Sequence, residues 1–363
     1  KTYGGNEVDV AYSIQQTSDG GFIVAGETIL TNVGEFWVLK LDANGVIQWQ
    51  KKYGGTNADV ANSIRQTSDG GYIVAGGTSS FTHFFGDIWL LKLDSAGAIQ
   101  WEKTYGGNGY EAARSIQQTS DGGFIVAGET SSFSSDTDVW VLKLNTNGTV
   151  QWQNRYGGTG VDKAYSLRQT SDSGYILAGE TNSSGVAGGI DFWVLKLDAN
   201  GSVVWQKTYG GSKDDVGYSV QQTSDSGYIV AGKTTTAGTI FDDIWVLKLD
   251  PNGNVEWQKT YGGPNDDAAY SIQQTSDSGY IVAGKSGSFG KVLGDMWVLK
   301  PDKSGNIGSG CSVEGLPNGT VTTTTVTGVN SLGASGNISV TATPTSVSGL
   351  NSGAITNTQC SYP

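Results

Sequence analysis

The chain has 363 residues, among them 55 glycines, 6 prolines, 11 tryptophans and 16 tyrosines. That length can bury a large core, and abundant glycine with little proline suits many tight hairpins rather than a disordered chain. A net charge of −12 excludes nucleic acid as a natural partner, and no apolar run is long enough for a transmembrane segment.

The first residues, KTYGGNEVDV, show neither a basic nor an apolar leader region, so no signal peptide is read here. Because Lys1 falls inside a repeat motif, the expectation is a processed end whose signal has been removed. Tyr-Gly-Gly then recurs at Tyr3, Tyr53, Tyr105, Tyr156, Tyr209 and Tyr261. The repeats start near residues 1, 51, 103, 154, 207 and 259. Within the first copy, four runs have strand character: Ala11–Thr17, Phe22–Thr28, Phe36–Leu41 and Val46–Tyr53. TSDGG separates the first two and DANG the last two, both hairpin turns with glycine where φ is positive. No segment carries a helical period.

Four antiparallel strands per repeat, six times over, leave a propeller or a stacked solenoid. Side-chain size favours the propeller. The first strand is slim at alternate sites (Ala11 and Ser13, Ala61 and Ser63, Gly217 and Ser219), whereas the third and fourth carry tryptophan. Blades crowd at the hub and need bulk further out. The expected fold is all-β: a six-bladed β-propeller of four-stranded antiparallel blades over residues 1–307, followed by a Ser/Thr-rich β tail over 308–363. Tryptophan marks the third strand six times, from Trp37 to Trp297, but the fourth only five times, from Trp49 to Trp257. The last blade therefore lacks a complete outer strand, and residues 1–3, which match the end of one, are expected to pair with it.

The pattern D-x-A-x-S-I-x-Q-T-x-D-G-G-Y-I-V-A-G, followed by D-x-W-V-L-K-L-D-x-x-G, resembles propeller repeats of secreted and surface proteins of bacteria and archaea, the SBBP-type repeats. The resemblance covers the six repeats and not the tail. It implies extracellular binding or structural modules without agreed catalytic residues. TSDGG also resembles the Asp-box turn of sialidase-type propellers, at Asp19, Asp69 and Asp121, where the aspartate stabilises a hairpin. Copies four to six depart from it, reading SDSG at Asp172, Asp225 and Asp277.

Strand order puts the short, uniform TSD(G/S)G and D-x-x-G turns on one face. The Tyr-Gly-Gly loops and the loops between the second and third strands share the other. The latter vary freely, from ILTNVGE to NSSGVAGGID, which marks a working face. Two rings of acid lie there. One is Asp9, Asp59, Glu111, Asp162, Asp215 and Asp267. The other is Glu35, Asp87, Asp138, Asp191, Asp243 and Asp295. The first ring is a candidate Ca²⁺ site at a channel mouth, but a side chain repeated in every blade is more simply explained as capping backbone N–H groups of its own or the next loop. The repeated lysines, from Lys40 to Lys300, are expected to pair with nearby carboxylates. Phe81, His83, Phe84, Phe85, Phe133, Phe241 and Phe289 in the variable loops are candidate ligand-binding residues, or covers for the blade tops.

Catalytic signals are sparse. His83 is the lone histidine, so a serine triad has one candidate base and no motif. No zinc pattern or P-loop occurs. Arg65, Arg114, Arg155 and Arg168 do not all sit at one repeat position, unlike the arginine cluster of a sialidase-type site. Paired acids keep a glycoside hydrolase or lyase as the enzymatic alternative.

The tail alternates β-branched residues in GTVTTTTVTGV and GNISVTATPTSV, too small to form a core alone. Cys311 and Cys360 are expected to form a disulfide closing it, which implies an oxidising compartment. Sequons at Asn147, Asn182, Asn200, Asn318 and Asn337 permit glycosylation. The tail packs on its own propeller or adds strands to a neighbouring subunit. These features read as a non-enzymatic, extracellular or cell-surface propeller acting as an assembly module and polymerising through its tail, its partner being itself. The alternative is a lectin-like propeller that binds a surface glycan or protein.

Overall fold

The computed structural model describes residues 1–307 apart from 6–7, 31–32, 82–85, 134, 184–188, 236–239 and 290–293, together with 314–315, 320–322 and 355–357. Every regular element among the described residues is a β-strand. Six blades follow one another along the chain: five have four antiparallel strands in sequential order, and the sixth, among the described residues, has three. In blade one the strands are Val8–Gln16, Phe22–Leu30, Val33–Leu41 and Ile47–Tyr53, so the first three reach further into the loops than their hydrophobic pattern marks. The chain divides into two compact units: Lys1–Ser135 with Val141–Gln153 and Ala334–Pro363, and Asp136–Trp140 with Asn154–Gly333. Blades one, two and most of three make up the first; four, five and six belong to the second.

The size gradient operates as expected. First strands of consecutive blades lie against one another within each unit, and their slim residues act as ties. The hydroxyl of Ser13 accepts the backbone N–H of Ile64 at 3.2 Å, and Ser166 accepts that of Val220 at 3.3 Å. Third-strand indoles of blades one to five are buried, Trp89 and Trp245 almost completely, and Trp297 of blade six is partly buried. Fourth-strand indoles reach the next blade: Trp49 meets Tyr72, Trp205 meets Tyr228 and Trp257 meets Tyr280 edge-on, each at 5.8 Å. The tyrosine that ends each outer strand donates to the D-x-x-G turn of the following blade, as Tyr53 does to the Gly97 carbonyl and Tyr209 to that of Gly253, both at 2.6 Å.

The uniform turns use the repeated lysine as expected. In blade four the Thr170 hydroxyl, the Gly174 N–H and the Lys196 ammonium all converge on the Asp172 carboxylate, the last at 2.9 Å. The same ion pair recurs from Lys40–Asp19 to Lys300–Asp277. Gly20, Gly70 and Gly122 take φ near +80° in the first three of these turns. Ser173, Ser226 and Ser278 take φ of 65–69° in the last three.

Among the described residues, the strand expected to complete blade six has a different partner. Thr2–Gly4 instead pairs with Ile355–Asn357 of the tail, while the Tyr3 hydroxyl donates to the Gly45 carbonyl at 2.6 Å. This is the contact made by Tyr53 and its counterparts, so residues 1–3 stand beside blade one as the end of a preceding outer strand would. Two other tail segments also add to outer strands. Glu314–Gly315 pairs with Thr260 and Tyr261 of blade five, and Thr320–Thr322 with Thr208–Gly210 of blade four. Main-chain pairing of this kind needs little side-chain bulk, which is how so polar a segment is held. Cys311, Cys360, Asn318 and Asn337 lie outside the described residues.

Candidate binding face and the carboxylate pairs beneath it

Each first strand contains a one-residue bulge at the same place, between Ala11 and Ser13, Ala61 and Ser63, Ala113 and Ser115, Ala164 and Ser166, Gly217 and Ser219, and Ala269 and Ser271. A bulge re-aims its extra side chain and ends local pairing. Here the extra residues are Tyr12, Asn62, Arg114, Tyr165, Tyr218 and Tyr270: tyrosine in four blades, replaced by Asn62 and Arg114 in blades two and three. The neighbouring second-strand position differs too, being Glu27, Gly77, Glu129, Glu180, Lys233 and Lys285.

In the first unit the Tyr12 hydroxyl donates to Glu27 at 2.6 Å, and Arg114 pairs with Glu129 at 2.5 Å. Burial, reinforced by the Glu27 carboxylate, pushes the Tyr12 phenol up to about 12. In the second unit three tyrosines form a row. The rings of Tyr165 and Tyr218 lie 5.1 Å apart and those of Tyr218 and Tyr270 5.3 Å apart, all tilted. Lys163–Glu180 and Lys233–Asp242 pairs flank them, at 3.4 and 2.7 Å.

The first acid ring caps backbone, the second of its two expected roles. Asp9 accepts the Gly5 N–H at 2.8 Å. Asp59 accepts the Gly55 N–H at 2.9 Å and the Ser80 hydroxyl at 2.7 Å. Glu111, Asp162, Asp215 and Asp267 repeat the bond to the glycine four residues earlier. Among the described residues no three His, Cys, Asp or Glu side chains gather in a metal-binding group.

The two rings, however, meet in pairs across the junctions from blades one–two to five–six. A methyl group placed on Gly210 would sit 2.4 Å from Asp191 Oδ1 and 2.6 Å from Asp215 Oδ2. Those oxygens are therefore at most about 5 Å apart, within direct Coulombic reach. Gly106 lies in the same way between Asp87 and Glu111, Gly157 between Asp138 and Asp162, and Gly262 between Asp243 and Asp267. The first glycine of Tyr-Gly-Gly is thus required for close approach. At the four–five junction Asp191 and Asp215 are 4% and 2% exposed. Burial, then the Asp215 charge, pushes Asp191 up to about 7, and burial likewise pushes Asp215 up to about 6. The spacing carried the signal: each second-ring acid precedes the next first-ring acid by 24 residues from Glu35–Asp59 to Asp243–Asp267, whatever the length of the variable loops.

Among the aromatic candidates, Phe81 packs on Trp89 and Phe289 on Trp297, each at 5.1 Å. Phe133 lies over Gly107, and Phe241 is 38% exposed. Phe81 thus covers a buried indole and Phe289 a partly buried one. His83, Phe84 and Phe85 fall outside the described residues. Asn147 and Asn200 are exposed in the uniform turns, while the amide oxygen of Asn182 accepts the Val161 N–H.

No family model matches the chain. It is 27% identical over 154 residues to the regulatory protein FlaEY of Caulobacter vibrioides, an overlap of 36% of this chain and 16% of that protein. Among solved structures it is similar to the periplasmic gluconolactonase PpgL of Pseudomonas aeruginosa, with a TM-score of 0.52 and 13% identity over 86% of this chain and 88% of that one. Sqt1 from Chaetomium thermophilum aligns with a TM-score of 0.47 and 13% identity, over 86% of this chain and 85% of that one. The chain carries six propeller blades, and the likeness to PpgL bears on fold alone. No helix is long and apolar enough to cross a membrane.

Proposed function

We propose that the protein is a non-enzymatic, extracellular or cell-surface propeller that binds a linear oligosaccharide through the inner ends of its blades. One observation carries this reading: the bulged first-strand position supplies a contiguous row of tyrosines in blades four to six. Other repeated polar groups already have structural work, as the Asp-box turns and the glycine-capping acids do. Aromatic faces stack on the C–H faces of sugar rings, and a flanking set of lysine and carboxylate groups suits hydroxyls. The test is a glycan array probed with the full chain. Binding to linear oligosaccharides, weakened at least tenfold by Tyr218→Ala with Tyr270→Ala and left intact by Phe241→Ala, supports the site. An array without hits, or hits indifferent to the tyrosines, retires it.

A second reading, assembly with further copies, draws support from blade six. Its Met296 is 85% exposed, Val298 53% and Ile281 39%, whereas the equivalent Ile244, Val246 and Ile229 of blade five are fully buried. Blade one presents the complementary half of the blade-to-blade contact, with Ile14 63% exposed where Ile64 is buried. Light scattering on the intact chain decides: association abolished by Val298→Lys supports assembly, and a strict monomer at high concentration ends it.

A further inference from the structure

The second-strand position beside each bulge sets the charge next to the bulged side chain. Glu27 holds the Tyr12 hydroxyl at 2.6 Å, and Glu129 pairs with Arg114 at 2.5 Å, so this position reaches the bulge of its own blade. Along the tyrosine row it changes sign. In blade four it is Glu180, paired with Lys163, and in blade five it is Lys233, paired with Asp242. In blade six it is Lys285.

Lys285 has lost the acid that Lys233 has. Gly294 stands in the place of Asp242, and the lysine stem lies over it: a methyl group on Gly294 would sit 2.5 Å from Lys285 Cε. Other acids of blade six are engaged or turned away. Asp266 accepts the Asp242 N–H at 3.1 Å, and Asp267 accepts the Gly263 N–H at 3.1 Å and the Ser288 hydroxyl at 2.7 Å. Asp295 is opposite Ser286, on the other face of the strand pair from Lys285 and Met296. Among the described residues Lys285 makes no ion pair or hydrogen bond, and it is exposed. Tyr270 is 54% exposed, more than either Tyr165 or Tyr218. The row of rings therefore ends on its most open member, beside an ammonium with no counter-charge.

This end differs chemically from the rest of the row. A carboxylate arriving at Glu180 meets its own charge, and one arriving at Lys233 must displace Asp242. At Lys285 it gains a charge-assisted hydrogen bond without breaking an ion pair. We propose that the oligosaccharide held along Tyr165, Tyr218 and Tyr270 is built of uronic acids, with one sugar carboxylate on Lys285; this takes the tyrosine row as the sugar site. A uronic acid keeps the C–H face of its ring and carries the carboxylate at the ring's edge, so one residue stacks on Tyr270 and pairs with Lys285 at once. The rings supply position and the lysine selects charge.

The test is calorimetry on the full chain at pH 7.5 in 50 mM NaCl. Oligomers of galacturonate, mannuronate and guluronate are each compared with their methyl esters, which keep the sugar and remove the charge. At least one acid form should bind about fivefold tighter than its ester, and the preference should shrink in 0.5 M NaCl. Lys285→Met keeps the stem, and should abolish the preference while leaving ester binding within about twofold. Asp242→Asn releases Lys233 beside Tyr218, and should enlarge the preference. Acid and ester bound alike, a preference that survives in Lys285→Met, or binding of neutral oligosaccharides alone would each overturn the inference and leave the tyrosine site standing. Self-association lost in Lys285→Met with sugar binding unchanged would assign the lysine to a contact between copies, and would overturn it too. If no oligosaccharide binds, acid or neutral, the tyrosine reading itself fails, and the inference with it.

Discussion

Blades five and six are built from nearly the same residues and have very different surroundings. In blade five, Ile229, Ile244 and Val246 are fully buried, packed with Ala269, Ile272, Tyr280 and Val282 of blade six. In blade six, Ile281, Met296 and Val298 occupy the same repeat positions and are exposed. Its third strand also has no fourth strand beside it among the described residues, whereas blade five has gained a fifth. A blade is therefore not a self-sufficient unit. Its apolar face is written for the first strand of the next blade, and the repeat gains stability at each such contact rather than within each sheet.

The sharpest way to break this comparison is to truncate the same position twice. Ile244→Ala removes a fully enclosed side chain and should cost about 3 kcal/mol in urea denaturation. Met296→Ala, at an exposed site, should stay within about 0.5 kcal/mol. If the two variants lose similar stability, the face of blade six is covered in solution, and the assembly reading gains its strongest support.

A second contrast lies in the uniform turns. Lys196 of blade four is buried, with 4% of its side chain exposed, while Lys300 of blade six is 49% exposed. Asp172→Ala would leave the Lys196 ammonium buried beside the Leu197 carbonyl and little else. Allowing for solvent screening of the largely exposed Asp172, the loss should be about 2 kcal/mol. Asp277→Ala should have little effect on chemical denaturation, because both partners there are already solvated. Equal losses would show that the turn, rather than the buried ammonium, sets the cost.

The same turns fix the response to acid. Burial works against ionisation of Asp69, Asp121, Asp172 and Asp225, but lysine, threonine and glycine N–H donors prevail and hold each at about 2, below an ordinary value of 3.8. Carboxylates depressed in the folded state bind protons more readily once unfolded. Their stabilisation is complete above about pH 4 and is lost as the pH falls towards 2. The denaturation midpoint should drop steeply across that window and less steeply in Asp172→Ala.

Much of this was legible in the sequence because a repeat shows its own constants. Six copies of one strand order, the slim first strand and a repeated lysine within reach of carboxylates each pointed to a contact that exists. The bulge was hidden for the opposite reason. An extra residue present in every copy leaves no gap in the repeat, so Tyr12 and its counterparts looked like ordinary strand residues. The junction pairs were hidden because Asp191 and Asp215 belong to different blades. Seen as two concentric rings, they suggest a shared channel mouth; only the packing of one blade's third strand against the next blade's first strand turns rings into pairs. Residues 1–3 were misplaced because strand-like residues do not specify a partner, and main-chain pairing accepts Ile355–Asn357 as readily as blade six.

The smallest expected effect separates the first three blades from the last three. Gly20, Gly70 and Gly122 hold the left-handed turn position at no steric cost, while Ser173, Ser226 and Ser278 hold it with a Cβ in place. The surrounding ties are otherwise the same: threonine hydroxyl, glycine N–H and lysine on one aspartate. Replacing serine by glycine relieves strain in the folded turn but gives the unfolded chain more freedom, so the two effects partly cancel. Each of Ser173→Gly, Ser226→Gly and Ser278→Gly should therefore stabilise by about 0.5 kcal/mol, and the triple variant should add them, since the turns sit in separate blades. A reciprocal Gly70→Ser should lose a similar amount. If serine proves as stable as glycine in these turns, a local bond from its hydroxyl offsets the strain, and the change from SDGG to SDSG along the chain is neutral for the fold.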